Sequence, residues 1–131
     1  MSEAKKVYFC EICGNQVEML LEGGGELICC GEAMKLLDKT DERAKTPAHV
    51  LIIEEISGKY RVTVGNPPHP MTEEHHIDWI EAWGEGRVCR RELKPGDEPV
   101  AEFPIAEIGE DAHFRAYCNL HGMRYCPRCE K

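Results

Sequence analysis

The stretch HVLIIEEISGKYRVTVG, from His49 to Gly65, carries the clearest signal for the fold class. It contains a short, mostly apolar run, HVLIIEEI, and a run in which apolar and polar residues alternate, KYRVTVG, and Ser57-Gly58 lies between them. Both kinds of run are typical of strands, and a Ser-Gly pair between them favours a tight turn. The stretch therefore predicts two strands joined by a turn.

Similar runs follow towards the end of the chain, namely HIDWIEAW, RVCRREL, VAEFPIA and HFRAYCN. Turn signals such as Asn66-Pro67-Pro68 and Pro95-Gly96-Asp97 separate them. The runs recur about every 8–12 residues and show no helical periodicity, which indicates an antiparallel β-sandwich. We therefore expect a mainly β chain in which residues 49–131 form the sandwich.

Residues 1–37 differ in character, because they hold four cysteines in the spacing C-x2-C-x15-C-C: Cys10, Cys13, Cys29 and Cys30. Two short β-like runs, Val17–Leu21 and Glu26–Cys29, flank a turn of three glycines. So short a segment buries little apolar surface, so a metal ion would have to supply much of its stability. Four thiolates suit zinc or a rubredoxin-like iron. Residues 38–48 are charged and weakly apolar, and we predict a linker there.

The adjacent pair Cys29-Cys30 is unusual in such a site. Neighbouring side chains on a strand point to opposite faces, so both thiols reach one ion only if the backbone is kinked. Gly31 follows the pair and favours such a kink. The alternative is two disulfides in a secreted domain.

The apolar segments and the net charge of the chain bear on its location and partners. The N-terminal sequence MSEAKKVYF contains no long apolar segment, and the chain has no apolar run of about 18 residues. We therefore expect a cytoplasmic protein that is neither secreted nor inserted in a membrane. A net charge of −8 argues against general nucleic-acid binding.

The stretch AYCNLHGMRYCPRC, from Ala116 to Cys129, has two interpretations. As C-x2-H-x4-C-x2-C it could form one zinc knuckle. Alternatively, Cys118 and His121 belong to a more distant site and Cys126 and Cys129 form a separate pair. Strand parity places His113 on the face opposite Cys118, but does not choose between His75 and His76.

Several motifs together resemble the superoxide reductases, the family of desulfoferrodoxin and neelaredoxin. VGNPPHPMTEEHHIDWIEAW, LKPGDEPVAEF and RAYCNLHG are similar to the iron domain of this family, and the N-terminal C-x2-C and C-C pairs are similar to its desulforedoxin module. The resemblance covers nearly the whole chain. It implies a small rubredoxin- or desulforedoxin-like metal-binding module followed by an immunoglobulin-like β-sandwich.

The resemblance also implies two non-haem iron ions per chain. One would bind the four N-terminal cysteines, a site that also accepts zinc on recombinant expression. The other would be an open Fe(His)4(Cys) centre that reduces superoxide to hydrogen peroxide. Its implied ligands are four equatorial histidines and an axial thiolate: His49, His69, His75, His121 and Cys118. A rubredoxin-like electron donor and a homodimer are further expectations.

The chain departs from the family in two places. The family commonly has a Glu-Lys pair just before its first histidine, where this chain has Pro47 and Ala48. Protonation would then depend on water or on Lys45. The tail pair Cys126 and Cys129 is left over, either as a redox pair, as part of a metal site shared across a dimer, or as exposed thiols.

Two other functions stay open at this stage. One is a zinc-binding adaptor with a C-terminal knuckle, which leaves the upstream histidines without a role. The other is an electron-transfer protein that no longer processes superoxide. Cys89 is expected to be a small, half-buried strand thiol.

Overall fold

The computed structural model describes residues 6–84 and 86–126. They form two compact units that divide between Asp38 and Lys39. Strands dominate both units, which confirms the prediction of a mainly β chain. Within the described residues, no helix has the length and apolar character that crossing a membrane requires.

The smaller unit consists of five short strands, β1 Lys6–Phe9, β2 Gln16–Met19, β3 Ile28–Cys29, β4 Glu32–Ala33 and β5 Lys35–Leu36. β1 pairs in antiparallel fashion with both β2 and β5, and β3 pairs with β4. Among the described residues of this unit, only Val7 and Cys10 are buried apolar residues. Several large apolar side chains are exposed: Ile12, Val17, Leu20, Leu21 and Ile28. The unit therefore has almost no hydrophobic core to stabilise it.

The larger unit is a sandwich of two antiparallel sheets. Its strands are β6 Leu51–Ile56, β7 Lys59–Val64, β8 Ile77–Gly84, β9 Arg87–Glu92, β10 Val100–Pro104, β11 His113–Cys118 and β12 Gly122–Cys126, with a short helix α1 Ile105–Ile108 after β10. One sheet has the order β10-β7-β6 and the other the order β12-β11-β8-β9. Val62 and Val64 from the first sheet and Ile80 from the second are fully buried in one cluster between them. The predicted antiparallel sandwich is confirmed.

The hairpin from β6 to β7 is the one expected from the stretch His49–Gly65. Ile56 pairs with Lys59, so the turn contains only two residues. Ser57 has φ 52° and Gly58 has φ 80°. Two successive residues with positive φ match the right-handed twist of the flanking strands, which explains why this turn closes the hairpin.

The segment before β6 lies along β12. It forms two 3-10 turns, Glu42–Ala44 and Pro47–His49, and the Ala44 side chain is fully buried. The Asp41 amide donates to the Met123 carbonyl at 2.8 Å. The sequence predicts a linker over residues 38–48, whereas residues from Lys39 onward belong to the larger unit. The charged side chains of this segment face solvent, and one alanine is too weak a signal of burial.

A buried ion pair occupies the other face of the four-stranded sheet. The Glu81 carboxylate in β8 is fully buried and accepts hydrogen bonds from Nε of Arg115 at 2.6 Å and Nε of Arg90 at 2.7 Å. The Arg115 guanidinium also lies over the rings of Trp79 and Trp83, at 5.6 Å and 5.2 Å. These contacts compensate the desolvation of the carboxylate.

Candidate metal centres

The smaller unit brings four cysteine sulfurs together. The Sγ atoms of Cys10, Cys13, Cys29 and Cys30 all lie within 4.8 Å of one another. The Sγ atoms of Cys13 and Cys29 are 3.5 Å apart, and those of Cys29 and Cys30 are 3.9 Å apart. A tetrahedral ion with metal–sulfur bonds of about 2.3 Å separates its sulfurs by about 3.8 Å. The cluster therefore has the dimensions of an S4 metal site.

Two backbone features make this cluster possible. In the first knuckle, the Gly14 amide donates to the Cys10 carbonyl at 2.9 Å, which folds Cys13 back towards Cys10. At the second pair, Cys30 has φ 55° and Gly31 has φ 79°. This left-handed turn is the kink that the adjacent cysteines require, and it directs both thiols to one side.

The thiols of this cluster have divergent pKa values. The Cys13 backbone amide, chiefly, lowers the pKa of Cys10 to about 7, whereas hydrogen bonding with the Cys13 side chain, chiefly, raises the pKa of Cys30 to about 12. One thiolate therefore forms easily and the last proton is strongly held. A cation that replaces the protons would relieve the repulsion among the sulfurs.

The larger unit gathers imidazole rings around one cysteine. Donor atoms of His49, His75, Cys118 and His121 lie within 4.8 Å of one another. His69 is outside that group, but its imidazole lies between those of His49 and His75. Its ring centroid is 4.9 Å from that of His49 and 4.5 Å from that of His75.

His121 closes the ring on the opposite side. Its centroid is 4.9 Å from that of His49 and 5.0 Å from that of His75. His49 and His75 face each other across the ring at 6.5 Å. The four imidazoles thus form a square, as an equatorial ligand set would.

Missing hydrogen bonds identify the ring nitrogens that face into the cluster. Nε2 of His49, of His69 and of His75 is buried and has no hydrogen-bond partner. A buried polar nitrogen without a partner is costly, so three such atoms in one place point to a cation site. His121 differs, because it is Nδ1 rather than Nε2 that lies close to the cluster, 3.6 Å from Cys118 Sγ.

Burial governs the protonation of these groups. His49, His69 and Cys118 are almost fully buried. Burial is the main cause that lowers the pKa of His49 to about 4 and also lowers the pKa of His69 and of His75. The imidazoles of His49, His69 and His75 are therefore neutral near pH 7, which is the form that binds metals.

The Cys118 thiol responds to burial in the opposite sense. Burial raises its pKa, while hydrogen bonds from the backbone amides of Leu120 and His121 act to lower it. A buried thiol that receives two amide hydrogen bonds becomes a thiolate once a cation is present.

Two backbone junctions hold the ligand-bearing loops together. At the first, Gly65 has φ 96°, its amide donates to the Val50 carbonyl at 2.7 Å, and a Cβ there would lie only 2.7 Å from the Ala48 carbonyl oxygen. The same Cβ would lie 2.6 Å from the His69 amide nitrogen. Only glycine allows the His49 and His69 loops to approach so closely.

The second junction joins the His75 loop to the end of β11. Asn119 Nδ2 donates to the Glu74 carbonyl at 3.0 Å, and the His76 amide donates to Asn119 Oδ1 at 2.8 Å. The pairing of β8 with β11 shifts register between Tyr117 and Cys118. Such bulges redirect a side chain at a sheet end, here that of Cys118.

The structure also separates the remaining histidines from the site. His76 bonds to the Thr72 carbonyl through Nδ1 at 2.8 Å and to Asp78 through Nε2 at 3.0 Å. His113 stacks on Trp83 at 5.5 Å, on the other face of the sheet as parity predicts. The choice between His75 and His76, which parity left open, thus falls on His75.

Among the described residues, Cys126 and Cys89 take no part in this cluster. Cys126 ends β12 and is disulfide-bonded, whereas Cys89 is a free, half-buried thiol on β9. Cys129 lies outside the described residues. Of the stretch Ala116–Cys129, therefore, Cys118 and His121 lie together in the cluster, without Cys126.

The two residues before His49, Pro47 and Ala48, offer the cluster no acid or base. Pro47 opens a 3-10 turn and Ala48 is half-buried within it. Lys45 is exposed, and its Nζ pairs with Glu42 at 3.1 Å. Sequence reasoning missed Thr46, whose hydroxyl lies 2.7 Å from Nδ1 of His49.

Comparison with known proteins agrees with both clusters. Residues 2–37 match the family model of the desulfoferrodoxin N-terminal domain, and residues 39–125 match that of desulfoferrodoxin itself. The desulfoferrodoxin homolog of Archaeoglobus fulgidus is 48% identical over 124 residues, which cover 94% of this chain and 97% of the relative.

Solved structures show the same fold. The superoxide reductase of Treponema pallidum has a TM-score of 0.71 at 22% identity, covering 95% of this chain and 98% of that one. The reduced neelaredoxin of Archaeoglobus fulgidus, a superoxide reductase, has a TM-score of 0.50 at 32% identity, covering 62% of this chain and 86% of that one. The two family matches, together with 48% identity to a relative over nearly the full length, establish that this chain belongs to the desulfoferrodoxin family.

Proposed function

We propose that this protein is a superoxide reductase that converts superoxide to hydrogen peroxide at an iron ion held by four histidines and one cysteine. The observation that carries the proposal is the square of four imidazoles beside the buried Cys118 thiol, in which three buried Nε2 atoms lack partners. The residues that would hold the ion are the four histidines of the square together with Cys118, namely His49, His69, His75, His121 and Cys118.

The donor set fits a non-haem iron. Borderline imidazole nitrogens suit iron, and a thiolate raises the electron density on it. When bound, the ion would supply one electron to superoxide and a positive charge that attracts this anion.

The chain's own residues prepare the site for this chemistry. Burial keeps the imidazoles of His49, His69 and His75 neutral. With the Cys118 thiolate as the only anionic ligand, a divalent ion would retain net positive charge. The amides of Leu120 and His121 hold the Cys118 sulfur and moderate its electron donation.

We infer that the two protons of the product come from solvent. Pro47 and Ala48 carry no ionisable group, and Lys45 is exposed and paired with Glu42. Pulse radiolysis of the wild type and of Lys45→Ala tests this inference. Similar rates of hydrogen peroxide release support solvent as the donor, whereas a large slowing in the variant would assign the proton to Lys45.

The four-cysteine cluster would hold a second iron and relay electrons or stabilise its unit. The exposed Ile12 and Ile28 lie beside its cysteines, and further apolar side chains of this unit are exposed. Such a surface suits association, so we propose that the protein is a homodimer. We also propose that it is cytoplasmic and that a rubredoxin-like protein supplies its electrons. Analytical ultracentrifugation tests the dimer, and a monomer at micromolar concentration would reject it.

A spectroscopic experiment with a matched control tests the site. The oxidised wild type should show a thiolate-to-iron band in the red in addition to rubredoxin-like bands. Cys118→Ser should lose the red band and keep the others, whereas Cys89→Ser should keep both sets. Retention of the red band by Cys118→Ser, or a wild type that binds zinc but no iron after anaerobic native purification, would reject the proposed site.

The same samples separate the reductase from an electron-transfer protein. Superoxide should oxidise the reduced protein, so that the red band appears in step with superoxide loss. An iron-loaded reduced protein whose spectrum does not respond to superoxide would favour electron transfer alone.

A further inference from the structure

Thr46 holds the His49 ring from the side opposite the cluster. Its Oγ1 lies 2.7 Å from His49 Nδ1, and its carbonyl accepts from the His49 amide at 3.0 Å. The two residues bracket the 3-10 turn Pro47–His49, so the turn brings the hydroxyl to the ring. Thr46 thus contacts His49 through both its side chain and its backbone.

The direction of the side-chain bond follows from the other nitrogen. His49 Nε2 is buried without a partner and points into the cluster, where a ligand needs a lone pair. A neutral imidazole with a free lone pair on Nε2 carries its proton on Nδ1, so Nδ1 donates to the Thr46 hydroxyl oxygen. By accepting this hydrogen bond, the hydroxyl stabilises the tautomer that binds a metal through Nε2.

The neighbouring histidine shows the same arrangement with a different acceptor. His69 Nδ1 lies 2.7 Å from the Pro70 carbonyl oxygen, and its Nε2 is likewise buried and unpartnered. A backbone carbonyl only accepts, so it forces this tautomer on His69. At His49 the acceptor is the Thr46 side-chain hydroxyl, which a mutation can remove.

Arg124 fixes the position of the Thr46 segment. This β12 residue donates through Nη1 to the Ala44 carbonyl at 2.8 Å and, more weakly, to the Thr46 carbonyl at 3.4 Å. The main chain around Thr46 is thereby tied to the four-stranded sheet. The hydroxyl is held at a defined place relative to His49, although the Thr46 side chain is exposed.

We propose that Thr46 is a positioning residue that sets the tautomer and orientation of His49 and so strengthens metal binding at the histidine cluster. The inference rests on the proposed metal site. Outer hydrogen-bond partners of ligand histidines are typically worth about 10- to 100-fold in metal affinity. A residue outside the ligand set thus acts on the centre through one hydrogen bond.

Two matched variants test the proposal. Thr46→Val keeps the shape and the β-branch but removes the acceptor, whereas Thr46→Ser keeps the hydroxyl. We expect Thr46→Val to bind Fe(II) at the histidine cluster about 10- to 100-fold more weakly in a chelator competition, with Thr46→Ser close to the wild type. Tryptophan emission reports on folding, since both tryptophans lie in β8 of the sandwich.

A second measurement does not depend on metal. Nitrogen-15 chemical shifts of the metal-free protein should show His49 protonated on Nδ1 in the wild type and in Thr46→Ser, and a mixture of tautomers in Thr46→Val. Equal Fe(II) affinity of the wild type and Thr46→Val, or a wild-type His49 protonated on Nε2, would overturn the role of Thr46. A wild type that binds no Fe(II) at the cluster would instead reject the proposed function.

Discussion

Replacing Gly65 with alanine should damage both the sandwich and its metal centre. A Cβ at this position would lie 2.6 Å, 2.7 Å and 2.8 Å from backbone atoms of His69, Ala48 and Pro67. Two of these atoms belong to loops that carry His69 and His49. Because none of the three is the end of a flexible side chain, the loops themselves must move apart.

The magnitude follows from two contributions. The positive φ of Gly65 costs alanine about 1–2 kcal/mol, and overpacking against fixed atoms adds about 1–3 kcal/mol. The expected loss is therefore about 2–5 kcal/mol in the free energy of unfolding. Gly58 is the matched control, since it has φ 80° but an added Cβ would meet no atom within 4 Å, so Gly58→Ala should lose only about 1–2 kcal/mol.

The assay is urea unfolding of the metal-free protein, followed by tryptophan emission, together with iron content after reconstitution. Gly65→Ala should lose the red thiolate-to-iron band and keep the rubredoxin-like bands, whereas Gly58→Ala should keep both. If Gly65→Ala is no less stable than Gly58→Ala and retains the red band, the close approach of the two loops does not hold the site together.

Three further predictions concern the two units. Glu81→Gln should lower the free energy of unfolding by about 3–5 kcal/mol because it leaves buried arginine charge uncompensated, whereas the exposed Glu102→Gln should cost at most about 1 kcal/mol; equal urea midpoints would refute this. Cys30→Ser should lose the rubredoxin-like bands and keep the red band and the reaction with superoxide, as absorbance and stopped-flow traces can check; loss of both centres would contradict independent sites. The metal-free protein should lose stability as pH falls from about 6.5 towards 4, because unfolded His49 gains a proton near pH 6.5 while burial keeps folded His49 neutral until its pKa of about 4; a urea midpoint that is unchanged or higher at pH 5 than at pH 7 would contradict it.

The sequence predicts most of the fold because its strands are short apolar or alternating runs and its turns use characteristic residues. Ser57-Gly58 marks a two-residue hairpin, and the kink at Cys30-Gly31 follows from the need to aim adjacent thiols at one ion. Both features are local, so residue type and spacing suffice to predict them.

The parts that sequence reasoning missed depend on contacts between distant segments. Nothing in the sequence of residues 39–48 indicates that Arg124 binds their carbonyl groups from 80 residues away in the chain. Parity could not choose His75 over His76, because that choice depends on the hydrogen bond that the His76 amide donates to Asn119 Oδ1 and on Asp78 as a partner for the His76 ring. Gly65 resembles any turn glycine until the Ala48 carbonyl is seen against it.

The yield of hydrogen peroxide tests the central claim most directly. The fully reduced, iron-loaded protein is mixed anaerobically with a known amount of superoxide, and hydrogen peroxide and dioxygen are measured together. A reductase adds one electron and two protons to each superoxide, so the account predicts one hydrogen peroxide per superoxide and no dioxygen, with one iron at the histidine cluster oxidised each time. Dioxygen formed in equal amount to hydrogen peroxide, or superoxide decay no faster than in buffer, would contradict it.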